Sequence, residues 1–64
     1  MNTEKLIELE NETLPLCNDL NGSPSHLHEW MIAGNNDGVF DGLSAAQVAA
    51  MWNDQMAEYR NEQN

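Results

Sequence analysis

Apolar residues recur every three or four positions along most of this chain and alternate nowhere, which is the pattern of helices and not of strands. Over residues 4–13, Leu6, Ile7, Leu9, Thr13 and Leu14 fall on one broad side at 100° per residue, with Glu10 intruding among them. Glu4, Glu8 and Glu12 form a row on the opposite side. Thr3 stands where an N-cap is wanted, and Pro15 forbids further helix. Leu16 and Leu20, four apart, allow a short helical turn before Asn21 and Gly22 stop it. Ser23 as N-cap and Pro24 at the first helical position then open a second helix, SHLHEWMIA. Its buried side is Leu27, Trp30 and Met31, and Gly34 is read as its left-handed C-terminal cap.

The last segment carries the clearest pattern. Ser44 and Gln47 match a capping box, and neither Gly nor Pro interrupts the helical pattern from residue 45 to about residue 61. Ala45, Val48, Ala49, Trp52, Met56 and Tyr59 define a stripe about 100° wide. The expected fold is all-α: a small bundle of three short helices, with a fourth turn around Leu16 and Leu20 as an option, and a connector rich in Gly, Asn and Asp. With 64 residues the chain is one domain, 1–64, with a small core.

Charge changes the picture. Eleven acids against Lys5 and Arg60 give a formal net charge of −9. A surface of that sign disfavours direct contact with nucleic acid or anionic membrane, because both require Lys and Arg to displace counterions. The single cysteine, Cys17, cannot form an intramolecular disulfide. The N-terminal stretch MNTEKLIELE lacks the pattern of a signal peptide or a spanning helix, so the expectation is a soluble, cytoplasmic protein, with a monomer as the simplest state.

Candidate chemistry is sparse. The stretch AGNNDGVFDGLS, residues 33–44, looks like a calcium loop, but it fails as an EF-hand in either register. With Gly38 at position 6 the end ligands become Ala33 and Ser44; with Gly42 there, Val39 and Val48 fall on ligand positions. The plainer reading is a connector whose Asn, Asp and Gly residues make turns while Val39 and Phe40 plug the core. His26 and His28 lie two apart and point roughly 200° apart on a helix, so they do not share an ion there; a metal site would need Cys17 recruited from the preceding loop, and the plainer reading is a small core residue for Cys17 and partly exposed side chains for the histidines. Phosphate loops, nucleophile pairs with an orienting third group, and repeats are missing. The expectation is a non-enzyme with no cofactor and no metal.

The acids are arranged in rows. Asp54, Glu58 and Glu62 repeat every four residues on the last helix, as Glu4, Glu8 and Glu12 do on the first. Like charges at that spacing cost a helix roughly 0.2–0.5 kcal/mol per pair. Carboxylates four residues apart are separated by about 6 Å along the axis, close to every second phosphate of a DNA strand at about 3.4 Å each. The rows are therefore candidates for presenting negative charge to a basic surface on another protein, with Met51 as an exposed apolar neighbour; a merely solvated acidic face is the bland alternative.

In size, charge and lack of catalytic motifs the whole chain resembles the small acidic proteins that phages use against host nucleases, including anti-CRISPR and anti-restriction DNA mimics. The resemblance is one of general character, without a shared motif, and carries over no functional residue. It implies a stoichiometric inhibitor, working in the host cytoplasm, that occludes the DNA-binding surface of a nuclease or CRISPR effector. The other class of function is a small adaptor or subunit docking through an apolar patch, with Trp30, Met31, Met51, Trp52 and Met56 as anchors, although Trp52 and Met56 fit the core better.

Overall fold

The computed structural model describes residues 1–63, with side chains through Glu62. Three helices form the bundle: α1 (Thr3–Thr13), α2 (Pro24–Asn36) and α3 (Ala45–Gln63), with a 3₁₀ turn at Leu14–Leu16. The expected all-α bundle is what the described residues form. The optional fourth element is shorter and earlier than the Leu16–Leu20 pairing suggests, because Pro15 fits the first positions of a tight turn and the chain is extended again at Cys17.

Helix starts follow local chemistry closely. Ser23 caps α2 by accepting from Ser25 N at 3.2 Å, with Pro24 at the first helical position. The Ser44 capping box is reciprocal, with Gln47 N donating to Ser44 Oγ at 3.2 Å and Ser44 N donating to Gln47 Oε1 at 2.8 Å. At α1 the cap is Asn2 and not Thr3: the Asn2 side chain accepts from Lys5 N at 2.9 Å, so Thr3 is already helical.

The end of α2 differs more. Gly34 is not the cap; α2 runs on to Asn36, and the left-handed residue is Gly38, with φ +73°. Val39 N donates to Gly34 O at 2.9 Å and Gly38 N to Asn35 O at 3.1 Å, the two bonds of a Schellman closure. Gly34 lacks a side chain for another reason. A Cβ there would lie 2.7 Å from Phe40 Cζ, because the ring folds back onto the helix at that point.

Seven side chains make the core: Leu6 and Leu9 from α1, Leu27 and Met31 from α2, Phe40 from the connector, and Val48 and Trp52 from α3. Half-buried Trp30 packs against two of them, with ring centroids 5.1 Å from Phe40 and 5.3 Å from Trp52 in tilted and edge-on geometry. Such pairs contribute about 0.5–1.5 kcal/mol beyond the area they bury. Thr13 is fully buried, its hydroxyl satisfied by donating to Leu9 O at 2.7 Å.

Two positions counted with the core lie outside it. Ile7 is 46% exposed, because it sits more than 90° round α1 from the mean direction of Leu6, Leu9 and Thr13. Tyr59 is also 46% exposed, for a different reason. It has the right phase on α3, but that helix outruns its partners: residues 57–62 are all exposed. Nineteen residues at 1.5 Å give α3 about 28 Å of length, and the molecule measures 38 Å in its long dimension against 21 and 18 Å across. Of the expected Val39–Phe40 plug only Phe40 is inserted, at 1% exposure, while Val39 points outward at 44%.

Gly34→Ala is expected to lower the melting temperature despite the better helix propensity of Ala. The propensity gain is about 1 kcal/mol, whereas forcing a core ring out of place costs typically 1–3 kcal/mol. Thermal unfolding followed by circular dichroism decides the sign; a more stable variant would show that the Phe40 ring is free to give way.

Candidate acidic binding surface

All six row acids, Glu4, Glu8 and Glu12 on α1 and Asp54, Glu58 and Glu62 on α3, are exposed on the faces turned away from the core. Among the described residues two ion pairs and a His28–Glu10 hydrogen bond form, and none includes a row acid. Arg60 projects from α3 toward Asp19 and not toward its own helix's acids. His28 Nδ1 meets Glu10 Oε1, and the Met1 ammonium meets Asp41 Oδ1 at 3.3 Å. Glu10 and Asp19, the two acids that are half-buried, each hold a basic side chain, whereas among the exposed acids of the described residues Asp41 alone meets a cation, the N-terminal ammonium. That division follows from desolvation, which penalises an unpaired carboxylate only where water is excluded.

Most of the row acids gain nothing from the helix dipoles. An acid stabilises the first turn of a helix and opposes the last. The first turn of α3 contains no acid, while Glu58 and Glu62 lie toward its C-terminal end. On α1 Glu4 is well placed, but Glu12 lies in a last turn that has no basic residue. Local helix stability therefore does not account for where these charges sit.

The two rows border different depressions. Glu8 and Glu12 join Asp41 along one between α1 and the connector, which Lys5, Leu9 and Leu43 also line. Glu58 and Glu62 flank Tyr59 and Gln55 around a smaller one on α3. Met51 is 37% exposed, as expected from its place among Gln47, Asp54 and Glu58.

Of the other adaptor anchors, Met31 and Trp52 are buried, and Trp30 and Met56 are half-buried against the core. Trp52 is fixed further by its indole N–H, which donates to Asp19 O at 2.6 Å. Asn53 binds the same strand of chain, accepting from Asn18 N at 2.8 Å and donating to Leu16 O at 3.2 Å.

The remaining heteroatoms are committed locally. His26 Nδ1 donates to Asn21 O at 2.7 Å, so His26 and His28 serve different partners. Cys17 Sγ donates to Thr13 O at 3.4 Å, and burial raises the thiol pKa above its ordinary value. Among the described residues, His, Cys, Asp and Glu side chains form no group of three placed to hold a metal. In the connector, the oxygens that resemble calcium ligands have another use: Asn35 Oδ1 accepts from the Met1 ammonium at 3.0 Å, Asp41 shares that ammonium, and Asn35 Nδ2 donates back to Met1 O at 3.1 Å. This clasp and the Glu10–His28 pair are not evident from helical periodicity, although Glu10, the one acid on the apolar side of α1, signals that a partner is needed.

No helix among the described residues is long and apolar enough to cross a membrane. The chain matches no protein-family model, no curated protein and no solved structure.

Two outcomes follow from this electrostatic layout. Unpaired like charges repel within a compact fold, so the melting temperature is expected to rise as salt screens them over the Debye length. A melting temperature that stays flat or falls with salt contradicts the unpaired rows. Alkylation of Cys17 by iodoacetamide is expected to be slower in the folded protein than in denaturant, with its pH midpoint moved upward. The half-buried thiol's stabilising contribution is then intact at neutral pH and lost as pH rises through the raised pKa; equal midpoints in both states would place Cys17 in free solvent.

Proposed function

We propose that the protein is a non-catalytic acidic binder that blocks the basic surface of a nucleic-acid-binding protein or complex, acting as a DNA mimic in the manner of phage anti-CRISPR or anti-restriction inhibitors. One observation carries the reading: six acids repeat at four-residue spacing on two helices, all exposed, without a cationic partner among the described residues, although the chain's Arg60 is engaged elsewhere. Their arrangement costs α1 and α3 stability, so selection for folding alone gives no reason to keep it. A spacing of about 6 Å lets such a row address alternate phosphate-binding Lys or Arg side chains on a groove built for DNA. A field of this strength also steers encounter with a basic partner and needs no deep pocket.

A second reading, docking through an apolar patch, rests on Met51. Of the five candidate anchors it alone is exposed, since Met31 and Trp52 are in the core and Trp30 and Met56 are half-buried against it. Salt separates the two mechanisms, because charge-driven association weakens steeply with ionic strength and apolar docking hardly changes.

The test is capture from a bacterial lysate on immobilised protein, with duplex DNA as competitor and salt as variable. Nucleic-acid-binding proteins are expected in the bound fraction, displaced by duplex and by high salt. Replacing Asp54 and Glu58 by Asn and Gln, or Glu4 and Glu8 by Gln, is expected to leave the helical spectrum intact and weaken capture by about tenfold for the row that faces the partner, the effect of one or two charge-assisted contacts. Full retention by both double variants, with binding unchanged in high salt, refutes the mimic and leaves Met51 as the point of attack.

A further inference from the structure

The structure supplies a shape for the partner that the charge alone does not. A depression of about 450 Å³ lies where the outer side of α1 meets the connector. Buried Leu9 and half-buried Leu43 line it together with the exposed acids Glu8, Glu12 and Asp41, and Lys5 and the N-terminal Met1 line it too. We infer that this groove docks a cationic amphipathic segment of a partner protein, with the aliphatic stem of an Arg or Lys along Leu9 and Leu43 and its charged head between Glu8 and Glu12. The inference rests on the acidic-binder reading and sharpens it by assigning the contact to the α1 row.

Charge complementarity selects the occupant. Glu8 and Glu12 are exposed and hold no cation among the described residues, so an incoming guanidinium or ammonium gains two partners without breaking an existing pair. The apolar part of the lining favours a long-stemmed side chain or a Leu beside it over a small hydrated cation, because the stem removes apolar surface from water while the head stays solvated. One wall is preorganised: Asp41 is held by the Met1 ammonium, itself fixed by Asn35, so the ordering cost of binding falls on Glu8 and Glu12. The α3 row lacks this combination, having only a smaller depression of about 180 Å³ beside Tyr59. Lys5 also lines the α1 groove, and its ammonium makes no ion pair among the described residues. Lys5 and the Met1 ammonium on Asp41 are resident like charges that any cationic guest must tolerate, which leaves Glu8 and Glu12 as its partners.

The probe is a synthetic amidated peptide that forms a helix with Leu on one face and Arg at i,i+4 beside it. Two controls accompany it: one with Gln for Arg, one with Ser for Leu. Titrated into ¹⁵N-labelled protein at low salt, the Leu/Arg peptide is expected to shift amide signals of Glu8, Leu9, Glu12, Gly42 and Leu43. Glu8→Gln with Glu12→Gln is expected to raise the Kd about tenfold, the loss of one charge-assisted contact or more. Asp54→Asn with Glu58→Gln should change it by less than about twofold, and Lys5→Ala should lower it about threefold, the size of an exposed charge effect. Both control peptides should bind about tenfold more weakly, since each lacks one half of the recognition. These substitutions are at exposed sites, and an unchanged helical spectrum verifies the fold of each variant. Shifts centred on residues 54–62, or equal losses from the two double variants, overturn the groove while leaving the acidic-binder reading in place. A Ser-for-Leu control that binds as tightly as the parent overturns the apolar contact and with it the groove. Absence of saturable binding by the Leu/Arg peptide also overturns the groove, and the lysate capture then decides the wider reading by itself.

Discussion

The seat of Phe40 on Gly34 is the contact from which the remaining architecture can be traced. Phe40 is the sole core side chain that does not come from a helix. Its ring reaches the core because Gly34 leaves room inside α2 and because Gly38 adopts a positive φ, which turns the chain back at the end of that helix. Once the ring is in place its neighbours have little freedom. Asp41, the next residue, meets the Met1 ammonium and ties down the start of α1. Leu43 N bonds back to Phe40 O at 3.1 Å across Gly42, and Ser44 is delivered in register to cap α3. Burying a Phe side chain contributes roughly 1.5–3 kcal/mol, a large share for a domain whose core has seven members. The connector is thus structural first, and the rim of the α1 groove is a by-product of that structure.

Charge is distributed by a second constraint, the shortage of cations. Where acids lose water they are paired: Glu10 with His28, Asp19 with Arg60. Asp19 does more than pair. Its carbonyl accepts from Trp52, its carboxylate also receives Asn21 N at 2.9 Å, and the segment around it is held by Asn53, so the chain between α1 and α2 is strapped to α3. Neutralising Asp19 with Arg60 therefore serves packing, and it removes from the α3 row the one nearby cation that might have offset it. The exposed rows are what is left after structural needs have been met.

Helix existence and most of the core were legible in the sequence because both follow from periodicity and local caps. Ser23-Pro24 and Ser44 with Gln47 specify starts through bonds within four residues, and those starts are where the pattern places them. Ends were less legible. Gly34 has the residue type of a cap, but its use depends on Phe40, six residues away and brought close only by tertiary structure. Tyr59 has core phase, yet burial also needs a partner helix at that height, and α1 with 11 residues does not extend as far as α3 with 19. The row acids were legible as exposed because they oppose the apolar stripe. Their association with different depressions was not, since the connector's path is set by Phe40 and not by the phase of either helix.

These two constraints leave stability and surface charge nearly independent. The core and its straps use Leu, Val, Met, Phe, Trp, Thr and Asn side chains together with Asp19 and Arg60, Glu10 and His28, and none of the six row acids. A residue that carries no packing can change without unfolding the domain, so rows of like charge can persist only at the small cost of i,i+4 repulsion or be removed at no cost to the core. A helix that needed solubility alone would be served by acids interleaved with Lys at that same spacing, which adds stability where like charges subtract it. The chain instead holds its acids in unbroken rows and places its only arginine on the opposite task. The departure from the stabilising pattern, on two helices at once, is the physical reason to look for a cationic partner on these faces.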